Sequence, residues 1–239
     1  MTGTVAMHVL ELLTARLCHE LIGPIAAVNN GVEILAEGDT DFAADAVQLV
    51  GDSARRAGTR LQFYRFAYGF APRRGFSGPP PHELAGDYFA TTRIACDYDQ
   101  GARSLPLEWQ KLACNLLLVG AEALPRGGSL RLRAGPAGPE LTVSGGAAGL
   151  APEVTAALGL VCPVAELSTR TVQGYFTGLL ARDLGCRLFG IPAEPEGFRL
   201  AAAGPEVQAV PPPPTASSFV GSGARDAPIS GIATGSRKT

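Results

Sequence analysis

The chain has 239 residues, 46% of them apolar and 18% charged, with a formal net charge of −2 and a pI near 5.9. That composition supplies a hydrophobic core, excludes wholesale disorder, and lacks the basic footprint of a nucleic-acid-binding domain. The 30 glycines and 19 prolines, about a fifth of the residues against roughly 12% in average usage, follow no Gly-X-Y period and are not collagenous.

Residues 5–70 hold one internal proline, Pro24, and their periodicity predicts two long helices. The first is expected from about Thr4 to Glu37, with a stripe of Leu10, Leu13, Leu17, Leu21, Pro24/Ile25, Val28, Val32 and Leu35 at steps of three and four. Gly38-Asp39-Thr40-Asp41 stops it and caps the next. The second helix is expected from about Asp41 to Tyr68, with Ala46, Val50, Ser53/Ala54, Ala57, Leu61, Tyr64 and Tyr68 as its stripe. So short a connection makes the pair antiparallel, and two stripes that one hairpin cannot bury well predict a homodimeric four-helix bundle. Residues 71–81 (APRRGFSGPPP) read as a linker. Residues 82–204 then alternate: a helix near His82 to Phe89, a strand near Thr92 to Tyr98 and a helix from about Pro106 to Leu124. Strands at Ser129 to Ala134 and Glu140 to Ser144 flank the turn Gly135-Pro136-Ala137-Gly138. Helices near Pro152 to Gly159 and Ser168 to Leu184 precede strands at Cys186 to Phe189 and Gly197 to Ala203. This order predicts an α+β fold, with an α/β sandwich behind the hairpin. From Pro205 on, 23 of 35 residues are Pro, Gly, Ser, Thr or Ala, which predicts a disordered tail over 205–239.

The longest apolar uncharged run, Leu112 to Ala121, falls short of the ~20 residues that cross a bilayer. No basic start leads into a long apolar stretch, which argues against a secretory leader. Five widely spaced cysteines without a Cys-x-x-Cys pair argue against a zinc site or a disulfide framework, and place the chain in the cytoplasm. Against this plain background His19 stands out. At about 100° per residue it lies roughly 160° from Leu21, on the solvent side of the first helix. Its helical neighbours are Ala15, Arg16, Ile22, Gly23 and, a turn further, Ala26, mostly small residues that leave room for a partner surface. Phe63 and Phe66 lie off the second stripe and are read as docking candidates, with packing against the second domain as the other reading. Arg55 and Arg56 could steer an acidic partner or simply form a solvated face. His8, near a helix start, and His82, behind three prolines, are weaker nucleophile candidates.

The run Cys18-His19-Glu20-Leu21-Ile22-Gly23-Pro24-Ile25 resembles the H-box of histidine kinase dimerisation domains, in which the histidine is the phosphorylated residue. A neutral imidazole is nucleophilic near neutral pH, and a neighbouring carboxylate, here Glu20, can orient the ring. Gly23 stands where that family often carries Thr, Asn or Ser to place a water. The second domain resembles the ATP-binding domain of the same kinases with its reading groups missing. Asn115 begins an asparagine-box-like run whose second, magnesium-holding asparagine falls at Val119. In the glycine-box-like run Leu141 to Gly149 the adenine-reading aspartate falls at Gly145 and the first glycine at Ala147. The glycine-rich lid falls on Thr171 to Leu180. Loss of a buried polar reader costs several kcal/mol of recognition, so Asn115, Val119, Gly145, Ala147 and Gly149 are read as a non-functional nucleotide site.

A phosphorylatable hairpin followed by a nucleotide-blind kinase-like domain resembles the ChpT family of histidine phosphotransferases, over residues 5–204. The resemblance implies a homodimer in which His19 and Glu20 carry the chemistry. It implies that the receiver aspartate of a CckA-type hybrid kinase donates to His19, and that CtrA-type and CpdR-type response-regulator receivers accept from it. It implies no cofactor on this chain, with Mg²⁺ supplied by the receiver, and no nucleic-acid or membrane partner. The docking surface would hold Arg16, Ile22, Gly23 and Ala26, with Phe63 and Phe66. Two other readings stay open: an ATP-dependent histidine kinase, against which Gly145 and Val119 weigh, and a non-enzymatic dimeric scaffold.

Overall fold

The computed structural model describes residues 6–38, 41–69, 78–193 and 197–204. The first five residues, most of the expected linker and the expected disordered tail lie outside them. Two helices, α1 (Met7–Ala36) and α2 (Ala43–Tyr68), form the antiparallel hairpin. There follow α3 (Pro81–Ala90), β1 (Ile94–Tyr98), α4 (Gln100–Arg103), α5 (Leu107–Glu122), β2 (Gly128–Gly135), β3 (Gly138–Ser144), α6 (Pro152–Leu158), a 3₁₀ turn at Val164–Glu166, α7 (Val172–Asp183), β4 (Arg187–Ala193) and β5 (Gly197–Ala203). The fold is α+β, a helical hairpin followed by a mixed sandwich.

The five strands order β1-β2-β3-β5-β4, with β1 parallel to β2 and the other pairs antiparallel. Alternation sets the two faces of the sheet. Leu130, Leu132, Leu141, Val143, Phe198 and Leu200 are buried under the helices. Arg131, Arg133, Arg199, Asp97 and Glu140 lie on the other face, where opposite charges pair across strands: Arg131 with Asp97 at 3.4 Å and Arg199 with Glu140 at 3.6 Å. Helix α5 approaches the sheet at Gly120, where a β-carbon would stand 2.7 Å from Leu141 Cδ2 and 2.9 Å from Leu130 Cδ2, so a larger residue there would overpack the core. The short α4, not expected from the sequence, is capped by Asp99, whose Oδ1 accepts from the Ala102 amide at 2.9 Å.

The core is continuous from the end of α2 into the sandwich. Phe63, Tyr64, Phe66 and Ala67 share one buried cluster with Leu84, Tyr88, Phe89 and the residues under the sheet. A smaller cluster joins Val9 and Leu13 of α1 to Ala157, Leu167 and Val172. The first expected stripe is therefore split. Leu13 and Pro24 are buried, but Leu10, Ile25, Val32 and Leu35 are between 37% and 51% exposed, and so is Leu61 of the second stripe at 51%. The reason is geometric: α1 meets α2 along a narrow strip that includes Gly31, where a β-carbon would lie 2.6 Å from Val50 Cγ2. A band beside that strip, Ile25 and Val32 on α1 with Val47, Ala54 and Leu61 on α2, stays uncovered at steps of seven.

Candidate functional site

His19 lies about one turn before Gly23-Pro24 on α1, and its side chain is exposed. Among the described residues its ring meets no hydrogen-bond partner. Ala15, Ile22, Gly23 and Ala26 around it are also exposed, and a shallow groove runs beside them between Cys18, Leu21, Ile22, Ile25, Ala26 and Asn29. The helix thus presents a nucleophile at the centre of a low, mostly apolar surface that the rest of the fold leaves open.

The other expected site residues divide. Glu20 is next to His19 in sequence, yet its carboxylate turns toward α2, where Arg60 Nη1 donates to Oε2 at 2.7 Å. Arg16 does not belong to the docking surface. Its side chain is only 14% exposed and is ion-paired with Glu122 of α5. Burial works against the Arg16 charge, but the Glu122 carboxylate and the Tyr68 and Tyr64 hydroxyls outweigh it and hold the guanidinium charged. Phe63 and Phe66 are also corrected: at 0% and 1% exposure they are core residues. Phe63 stacks on Tyr88 with ring centroids 4.6 Å apart. Their side of α2 is covered by α3, so a helix with apolar residues on two sides here packs on two sides. Arg55 is exposed and paired with Asp52 at 2.6 Å, a solvated face. His8 contacts the Leu167 carbonyl at 3.3 Å, and His82 packs edge-on against Tyr98.

The nucleotide-box positions have been drawn into structure. Asn115 is fully buried. Its Nδ2 donates to the carbonyls of Ala67 (2.8 Å) and Lys111 (2.9 Å), while Oδ1 accepts from Gln173 Nε2 at 3.0 Å. The Tyr68 hydroxyl donates to Gln173 Oε1 at 2.5 Å, and Lys111 donates to the Gly69 carbonyl at 2.5 Å. The carbonyls at the end of α2, which a helix leaves unpaired, are thereby capped by side chains of α5. At Gly145 a β-carbon would lie 2.8 Å from the Gly127 carbonyl oxygen, so an aspartate does not fit this backbone. Ala147 keeps a left-handed φ of 68°, a conformation that favours glycine. The expected lid is part of α7, whose Gly178 packs against the Leu158 carbonyl of α6.

A cavity of about 360 Å³ is lined by Val119, Glu122, Gly149, Glu153 and Arg170, with Arg16 of α1. Burial pushes the Glu122 carboxyl up to about 7, and Arg16 opposes that rise. The folded chain therefore holds the Glu122 proton to higher pH than the unfolded chain does. The stabilisation this gives is complete below the ordinary carboxylate range and is lost as pH rises toward 7. Glu122→Gln is expected to remove that decline while also taking the counter-charge from Arg16, so the native protein's melting temperature relative to the variant's should fall as pH rises from about 4 to 8. Among the described residues no cluster of three His, Cys, Asp or Glu is placed to hold a metal ion, and no helix is long and apolar enough to cross a membrane. Arg60, Glu122 and Gln173 were not singled out by the sequence, because each acts on a residue far away along the chain.

Comparison with known proteins agrees with this geometry. The histidine phosphotransferase C-terminal domain family matches residues 81–197. Protein phosphotransferase ChpT of Brucella abortus (strain 2308) is 35% identical over 189 residues, covering 77% of this chain and 90% of that protein. A solved structure, described as a 1.7 Å structure of a bacterial phosphotransferase, is 34% identical and superposes with a TM-score of 0.69 over 84% of this chain and 98% of its own. A histidine-bearing hairpin on a kinase-like sandwich, with these relatives, defines a protein phosphotransferase. The chain belongs to the ChpT-type family of histidine phosphotransferases.

Proposed function

We propose that His19 is the phosphorylated residue of a phosphorelay. It receives the group from the receiver aspartate of a CckA-type hybrid kinase and passes it to the receivers of CtrA-type and CpdR-type response regulators in the cytoplasm. In the transfer a lone pair of the neutral imidazole attacks the phosphorus of the aspartyl phosphate. A P–N bond forms as the P–O bond to the aspartate breaks, and the aspartate leaves as a carboxylate. Most of the transition-state charge would be met by Mg²⁺ and basic groups of the receiver, leaving this chain to supply the nucleophile and the docking surface. The observation that carries the reading is the exposed, unpartnered His19 ring among Ile22, Gly23 and Ala26 on the hairpin. Residues 1–70 would dimerise and carry the histidine, and residues 82–204 would serve as their support.

The same reading has the chain take its phosphoryl group from a receiver and not from ATP. Supporting this are the space denied at Gly145, the apolar Val119 and the hydrogen bonds that Asn115 makes within the fold. Incubation with γ-radiolabelled ATP alone is expected to leave the protein unlabelled. A phosphorylated receiver domain with Mg²⁺ is expected to give an acid-labile label that mass spectrometry assigns to His19. Self-labelling from ATP would favour the autokinase reading, and receiver binding without any phosphohistidine would favour a scaffold.

A further inference from the structure

The turn of α1 that follows His19 is interrupted by Pro24, and the side chain that repairs it comes from α2. Proline has no amide hydrogen, so Pro24 cannot donate to the carbonyl four residues earlier, which is that of Glu20. Arg60 Nη1 donates to this carbonyl at 2.9 Å and to Glu20 Oε2 at 2.7 Å. Arg60 is 22% exposed and Glu20 25%, so both groups are largely withdrawn from water, where a charge-assisted bond is at its stronger end. One guanidinium thus holds both oxygens through which the residue beside His19 could move.

We propose that Arg60 is a positioning residue for phosphoryl transfer at His19. By pinning the Glu20 carbonyl it replaces the helix bond that Pro24 removes, and so fixes the turn from which the imidazole projects. By pinning the carboxylate it turns a negative charge away from the face where the phosphoryl group arrives, and neutralises it when His19 itself becomes negatively charged. This rests on the reading of His19 as the phosphorylated residue.

The test is phosphoryl transfer from a phosphorylated receiver at varied receiver concentration, with Arg60→Met and Arg60→Lys each made in the native chain and in Pro24→Ala, and His19→Ala as reference. Arg60→Met is expected to lower kcat about tenfold, the scale of a small misplacement of a reacting group, while KM stays within about twofold of native. Arg60→Lys is expected to recover most of the loss, because an ammonium still reaches an acceptor on Glu20. In Pro24→Ala the restored amide serves the Glu20 carbonyl, so the Arg60→Met penalty is expected to shrink to about threefold. An equal penalty in both backgrounds, an effect on KM alone, or no penalty overturns the proposal. Melting curves establish that each variant is folded, and Arg60→Gln, which keeps a planar donor, takes the place of Arg60→Met if the latter melts below the assay temperature. If His19→Ala still accepts, the reading of His19 fails. If His19→Ala is inert and Arg60→Met transfers like the native chain, only the role of Arg60 fails.

Discussion

His19→Ala protein is expected to accept no measurable phosphoryl group from a phosphorylated receiver while remaining folded. The size of the loss follows from chemistry: the substitution removes the atom that forms the P–N bond, and no other imidazole stands in the same place. His8 is held near the Leu167 carbonyl and His82 against the Tyr98 ring, each away from the open face of α1. Removal of a nucleophile costs three or more orders of magnitude in rate. The structural cost is small, since the ring is exposed, meets no partner among the described residues, and is replaced by the best helix former. Thermal melts should therefore coincide within the few degrees that ~0.5 kcal/mol produces. An acid-labile label that persists in His19→Ala overturns the assignment of the site.

The second large effect concerns assembly. Ile25, Val32, Val47, Ala54 and Leu61 form an apolar band spaced at steps of seven along both hairpin helices, with Ile25, Val32, Val47 and Leu61 each at least half exposed in the single chain. A second copy of the hairpin, related by a twofold axis, would cover this band as a four-helix bundle. Val32→Glu would then place a carboxylate in the seam. At about 2 kcal/mol for each buried polar group without a partner, and with every substitution counted twice by symmetry, the dimer is expected to weaken on the order of 10³-fold. Sedimentation equilibrium over a range of concentrations measures this directly. A native protein that stays monomeric at high concentration, or a Val32→Glu variant that associates as tightly as native, sinks the bundle.

The hairpin and the alternation of the sandwich were legible because each rests on local periodicity. The expected strands at Ser129 to Ala134 and Glu140 to Ser144 lie within β2 and β3, which reach a little further on either side of the same turn. The boundaries of α1 and α2 moved by a few residues, as frayed ends do. Three features were hidden. Four residues of α4 are too few to show a period. A wheel drawn with one apolar stripe cannot tell that the end of α2 packs on α3 as well as α1, so it left Phe63 and Phe66 between docking and packing against the second domain, and the structure shows the packing. Long-range polar partners leave no periodic trace: Arg60 with Glu20, Arg16 with Glu122 and Gln173 with Asn115 join elements far apart in the chain. At the site itself the exposed histidine was readable from angle alone. The neighbours that the fold recruits were not, apart from one physical hint, the carbonyl that Pro24 leaves without a donor.

Asn115 also bears on how the hairpin is attached to the sandwich. Its amide hydrogens reach Ala67 and Lys111, and its oxygen receives Gln173, so both donors and one of the two acceptor directions of the side chain are in use. Breaking these bonds would loosen the seam between α2, α5 and α7. One buried side chain thus ties the end of the hairpin to both α5 and α7.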